Sequence, residues 1–171
     1  MRKPRAQDNK QLAQLARDDQ KEREHFFEHP DVVTRHDRVR RRKAASLMRQ
    51  GRIRTVRDHL RAALLFQHGL TIADYRNAQR FAQRAIDLGG GDDAKWLYAI
   101  TTDRLLTSQG KRQRFGTQWR IVQERSPKTG RLRRVRRLLP VDQRFSDVTR
   151  RAYGSRSLKE LLADDGKPAH Y

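Results

Sequence analysis

Apolar residues recur at three- and four-residue steps over most of the first 108 positions, then change to rough alternation. Leu12, Leu15, Ala16, Asp19, Arg23 and Phe26 or Phe27 share one face of a helix expected over residues 7–27. Pro30 interrupts it. A second helix over 31–50 carries a thin stripe of Val32, Val39, Ala44, Leu47 and Met48, and Gly51 stops it. In the third, Thr55 is placed to cap and Asp58 sits at the third helical position, a capping box with Asp in place of Glu. Val56, Leu60, Leu64 and His68 follow at i+4 steps to a stop at Gly69. Thr71 and Asp74 repeat the cap for a fourth helix, whose inner face is Ala78, Phe81, Ala82, Ala85 and Ile86. After a triple glycine, Asp92 or Asp93 opens a fifth helix that Gly110 closes.

Past Gly110, "RFGTQWRIVQER" is aromatic and β-branched, "SPKTG" supplies turn residues, and "RLRRVRRLLP" returns. This predicts a β-hairpin, followed by two short helices around 147–153 and 158–163. The expected fold is mainly α: a compact bundle of about five helices with a β-hairpin and short C-terminal helices. A length of 171 residues fits one domain, with residues 1–8 and 164–171 expected as loose ends.

Composition narrows the chemistry. The chain has no cysteine, which excludes disulfides, thiolate metal centres and thiol nucleophiles. No stretch approaches the ~18 apolar residues of a membrane span, and the N-terminus has no apolar signal core, so no membrane partner and a cytoplasmic setting are expected. The formal net charge is +20. Eleven Lys or Arg against two Asp fall between Arg35 and Arg61, and eleven against one Glu between Lys111 and Arg137. Those two segments hold nearly the whole excess. They are the expected contact surfaces for a nucleic acid or other polyanion, unless the charge is only compositional.

Uncharged and titratable groups sit where the periodicity points inward. His68 shares its row with Val56, Leu60 and Leu64, and Gln67 shares a face with Ala63. Asp103 lies on the face of Trp96, Ala99 or Ile100 and Leu106, with Arg104 on the neighbouring row. An acid on an apolar face should be paired or hydrogen-bonded. Asp19 and Arg23 lie one turn apart beside Leu15 and Phe26. Gln113, Thr117 and Gln118 surround Gly116, which lets the backbone approach another group closely. Each group has a plain reading as a satisfied core polar residue. Together they suggest one wall of a polar pocket.

The fragments "DQKER" (Asp19, Gln20, Arg23), "QHG" (Gln67, His68), "DR" (Asp103, Arg104) and "GKRQRFGTQ" (Gly110, Gln113, Gly116, Thr117, Gln118) resemble the signature of a widespread, uncharacterised bacterial domain family. Its members share Asp-Gln-x-x-Arg, Gln-His, Asp-Arg and Gly-x-x-Gln-x-Tyr-Gly-Thr-Gln. Phe115 replaces the family's usual Tyr, which removes any phenolic hydroxyl there. The resemblance implies a common site and brings no reaction with it.

Three functions fit these residues. One is an enzyme working by general acid–base chemistry (hydrolysis, elimination or cyclisation) on a small-molecule or peptide substrate that is anionic or contains an amide. His68 would transfer protons and Asp103 would orient it. Asp19, Arg23, Gln67, Arg104, Gln113, Gly116, Thr117 and Gln118 would bind substrate. No metal and no cofactor are expected: one inward His, His68, could ligate a metal with Asp103 and Asp19, but it has no second His at helical spacing to support it. The second is a basic nucleic-acid- or ribosome-associated binding protein. The third is a helical interaction module without catalysis.

Overall fold

A computed structural model describes residues 6–127 and 129–169. Its helices are α1 (Lys10–Arg23), α2 (Pro30–Arg49), α3 (Val56–Gln67), α4 (Ile72–Asp87), α5 (Gly91–Ser108), α6 (Asp147–Ala152) and α7 (Leu158–Ala163). The strands β1 (Trp119–Arg125) and β2 (Leu132–Leu138) form an antiparallel hairpin in which Val122 faces Val135. The described residues are thus mainly helical with a two-stranded antiparallel hairpin, as the patterning predicts. No helix among the described residues is long and apolar enough to cross a membrane.

The caps of α3 and α4 form where the sequence places them, whereas α5 opens on Gly90 with no side-chain cap and carries Asp92 and Asp93 inside its first turn. Thr55 and Asp58 make the reciprocal capping box of α3, and the Thr71 side chain accepts from Asp74 N at the start of α4. α3 packs against α1, α2, α4 and α5, so its burial is not confined to one row. Ala62, Ala63, Leu65, Phe66 and Gln67 are buried, whereas the expected row of Val56, Leu60, Leu64 and His68 lies at the seam and is only half-buried. Leu12, Leu15, Ala44, Leu47, Leu65 and Phe66 form the main apolar cluster, closed on the α4 side by Ala78.

Two helices depart from the expected stripes. α1 ends at Arg23 rather than residue 27, leaving Phe26 half-buried and Phe27 exposed. On α2 the expected Ala44 and Leu47 are buried, but Val32, Val39 and Met48 are exposed, and Val33, Asp37, Arg40 and Arg41 complete the inward face. Charged side chains occupy the middle of that face because α1 and the end of α3 present partners to them.

Gln113–Gln118 is not part of a strand. It forms a loop tied to residues 139–142, with a parallel β-bridge between Gln113 and Val141. Both expected loose ends carry contacts where they are described. Asp8 accepts a hydrogen bond from Thr55 Oγ1 at 2.7 Å. Residues 166–169 run along the free edge of β2, where Arg136 N donates to Lys167 O and Ala169 N to Arg134 O. Residues 1–5 and 170–171 lie outside the described residues.

Candidate functional site

The end of α3 is where the polar elements meet. His68 caps α3, and its Nδ1 lies 3.1 Å from Asp19 Oδ1 on α1. Asp19 is 1% exposed, so its carboxylate needs partners there. It has three: His68, the Gln20 amide at 2.8 Å, and Arg23, whose Nη2 stands 3.6 Å away. Burial alone would push the Asp19 carboxyl up. The His68 ring, the Gln20 amide and the Arg23 charge more than offset it, and the group is held below the usual carboxylate range.

Charges continue outward from this pair. Arg23 also engages Asp37 of α2 through a short ion pair. Arg40 reaches Asp37 at 3.2 Å and Glu22 at 2.6 Å. His36 Nδ1 stands 2.9 Å from Glu22 Oε1. Arg41 donates to the His68 carbonyl at 2.8 Å. The sequence patterning does not single out Glu22, Asp37, Arg40 or Arg41. The available signal is position: Asp37 follows Val33 by one turn, and Ala44 follows Arg40 by one turn.

Arg104 joins the end of α3 to the second half of the site through Gln67. Its Nη1 donates to the Gln67 carbonyl at 2.7 Å and its Nε to Gln118 Oε1 at 3.3 Å. Both acceptors are neutral. Burial pushes the Arg104 guanidinium below its ordinary value; the Tyr75 hydroxyl opposes that shift and the charge of Arg23 adds to it. Arg23 and Arg104 therefore feel one another as like charges. Arg23 Nε is buried and has no hydrogen-bond partner among the described residues.

Asp103 plays a different part from the one its position suggests. The carboxylate that reaches His68 belongs to Asp19. Asp103, 0% exposed, turns toward the 114–117 loop instead. Its Oδ1 accepts from Arg114 N at 2.7 Å and Phe115 N at 3.0 Å, and its Oδ2 accepts from Thr117 N and Thr117 Oγ1, each at 3.0 Å. Burial pushes this carboxyl up against the pull of those donors. Gly116 has a φ of +77°, and a Cβ there would lie 2.3 Å from Leu161 Cδ1, so the turn requires glycine. Thr117 and Gln113 are likewise committed within the protein. Thr117 Oγ1 accepts from Gln118 Nε2 at 2.9 Å. Gln113 donates to the carbonyls of Gln118 and Leu139 and accepts from Gln118 N.

The expected site residues thus fall into two linked groups. Asp19, Arg23 and His68 surround the end of α3. Asp103, Gln113, Gly116, Thr117 and Gln118 build the loop. Gln67 and Arg104 connect them. The Asp103 group supports the loop, while Asp19, His68, Arg23 and Arg104 carry the groups suited to proton transfer and anion binding. No family model, curated protein or solved structure matches the chain.

Proposed function

We propose that this protein is an enzyme that works by general acid–base chemistry, of hydrolysis, elimination or cyclisation type, on a small anionic or amide-containing substrate. His68 is the proton-transfer group and Asp19 its partner. The observation that carries the reading is the 3.1 Å contact between Asp19 Oδ1 and His68 Nδ1. A carboxylate at Nδ1 fixes the tautomer with hydrogen on that nitrogen, and Nε2 then presents its lone pair as a base. Arg104, a half-buried cation bonded only to neutral acceptors, and the unpartnered Nε–H of Arg23 supply the anion-binding groups. Asp103 is assigned to holding the loop that positions Gln118 against Arg104. The proposed membership of the Asp-Gln-x-x-Arg / Gln-His / Asp-Arg / Gln-x-Tyr-Gly-Thr-Gln family rests on those sequence fragments, with Phe115 in place of the Tyr.

A thermal-shift screen of small carboxylates, phosphate esters and carboxamides should find stabilising ligands, and Arg104→Gln should lose their effect. Turnover of those ligands, followed by NMR, should vanish in His68→Gln while the protein stays folded. Full turnover by His68→Gln would end the assignment of His68. The alternative, a purely structural histidine, predicts instead that His68→Ala costs ~1–3 kcal/mol of stability and that Gln restores much of it.

A further inference from the structure

The loop that turns Gln113 inward turns Lys111, Arg112 and Arg114 outward. Facing them, the segment after Val141 brings Asp142 and Arg144. With Leu106 as part of the floor, these residues line an open groove of about 630 Å³. Four of the lining side chains are cations and one is a carboxylate.

The two walls are tied together. Gln113 N donates to Pro140 O at 2.9 Å, and Asp142 N to Gln113 O at 2.8 Å. Arg150, 1% exposed, lies beneath and fastens both sides: Nε to Arg114 O at 2.9 Å, Nη2 to Asp142 O at 2.6 Å, and Nη1 to Phe145 O at 2.7 Å. Arg114 N is held by Asp103. The Arg114 guanidinium lies 5.9 Å from the Phe145 ring centroid, with Arg150 at 5.5 Å from the same ring. Gathering cations around a concavity costs self-repulsion, and the fold holds them there with buried groups. An anionic ligand offsets that cost.

We propose that this groove docks the phosphodiester backbone of a single-stranded nucleic acid. Three of its four cations are arginines, whose fork matches phosphate oxygens. Guanidinium planes also offer faces on which unpaired bases stack. The volume is that of a pocket for a drug-sized ligand, so it accepts a few nucleotides of a flexible strand and not the convex surface of a duplex. An acidic peptide would need apolar anchor pockets or a strand edge, and Leu106 is the only aliphatic residue in the lining. This inference stands apart from the reading of His68, because none of the cations belongs to that site.

The test uses a fluorescein-labelled 20-nucleotide RNA and a poly-aspartate of equal charge. Arg112→Gln/Arg114→Gln/Arg144→Gln should weaken RNA binding at least ~30-fold at low salt. It should also flatten the log–log salt slope by about 2, roughly 0.7 for each phosphate no longer neutralised. Arg17→Gln/Arg76→Gln/Arg80→Gln removes the same charge from exposed positions on α1 and α4 and should weaken binding less than threefold. Arg144→Gln alone should flatten the slope by about 0.7, which keeps the test decisive if the triple variant misfolds. Equal losses in the groove and control variants would overturn the proposal, because binding would then follow total charge. Equal affinity for poly-aspartate would overturn it as well, because the groove would then select charge and not phosphodiester.

Discussion

Asp103 organises its loop through four donors from Arg114, Phe115 and Thr117. Asn at this position keeps one acceptor and turns an NH2 toward backbone N–H groups. Asp103→Asn should therefore cost roughly 2–4 kcal/mol in a urea melt, well above a typical surface change. A loss below about 0.5 kcal/mol would mean that the carboxylate does not hold the loop. The importance of Asp103 is legible in the sequence, because an acid on an inward helix face must find donors. Its partner is not legible: backbone N–H groups in a loop leave no residue-type signature, so His68 looks the more natural neighbour. Asp19 shows the converse. An i,i+4 Asp–Arg pair reads as a weak surface contact until burial is known, and only the packing of α1 against α3 places it beside His68.

At the scale of elements, side-chain chemistry that acts locally is readable and chemistry that acts across the chain is not. The Thr55–Asp58 capping box forms as its spacing predicts, because both partners lie within one turn. The inward face of α2 keeps Ala44 and Leu47 of the expected stripe but replaces Val32, Val39 and Met48, because Asp37 and Arg40 are made burial-competent by Arg23 and Glu22, which are distant in sequence. The glycine turn gives an element-scale test. Gly116→Ala adds a Cβ at positive φ directly against Leu161, so it should destabilise by more than the ~1 kcal/mol of a strain-free glycine change and should weaken the contact between Gln118 and Arg104. The C-terminal segment gives another. Asp164 binds Arg136, Arg156 and Lys167, and hydrogen bonds from Lys167 and Arg156 hold its carboxyl down at about 2. A carboxyl lowered in the fold contributes stability above its unfolded value of about 3.9, and that contribution is lost as pH falls through about 2. Amide exchange at Gly166 and Ala169, which pair with β2, should accelerate as pH is lowered from 4 to 2 relative to amides in α3. Asp164→Asn should show the fast exchange already at pH 6. Equal protection at both pH values would remove Asp164 as the pin of this segment.

At the scale of the whole molecule, 40 Lys and Arg face 20 Asp and Glu, so cations outnumber acids two to one and self-repulsion outweighs attraction wherever pairs are not formed. Where the excess lies along the chain is legible; how it is gathered is not. Arg144 lies outside both charge-rich segments and reaches the groove only because Gln113 bridges Val141. Salt screens charges beyond about a Debye length, roughly 10 Å at 0.1 M. A protein held mainly by surface ion pairs melts lower as salt rises. This one should melt higher from 20 to 500 mM NaCl, because the repulsion being screened is larger than the attraction being screened with it. The groove should concentrate the effect. A like-charged pair about 8 Å apart in water costs roughly 0.5 kcal/mol, and the fold holds four cations around one concavity. Neutralising three of them in Arg112→Gln/Arg114→Gln/Arg144→Gln should raise the melting temperature at 20 mM NaCl, by about 2–4 °C for each kcal/mol of repulsion relieved. The same variant should match the parent at 1 M NaCl, where the Debye length is roughly 3 Å. Arg17→Gln/Arg76→Gln/Arg80→Gln should gain less at 20 mM, since its charges are spread over α1 and α4. A groove variant that melts lower than the parent at every salt concentration would show that these arginines serve the fold rather than a ligand. A gain at low salt that disappears at high salt is what a surface kept for an anion, at some expense of stability, should produce.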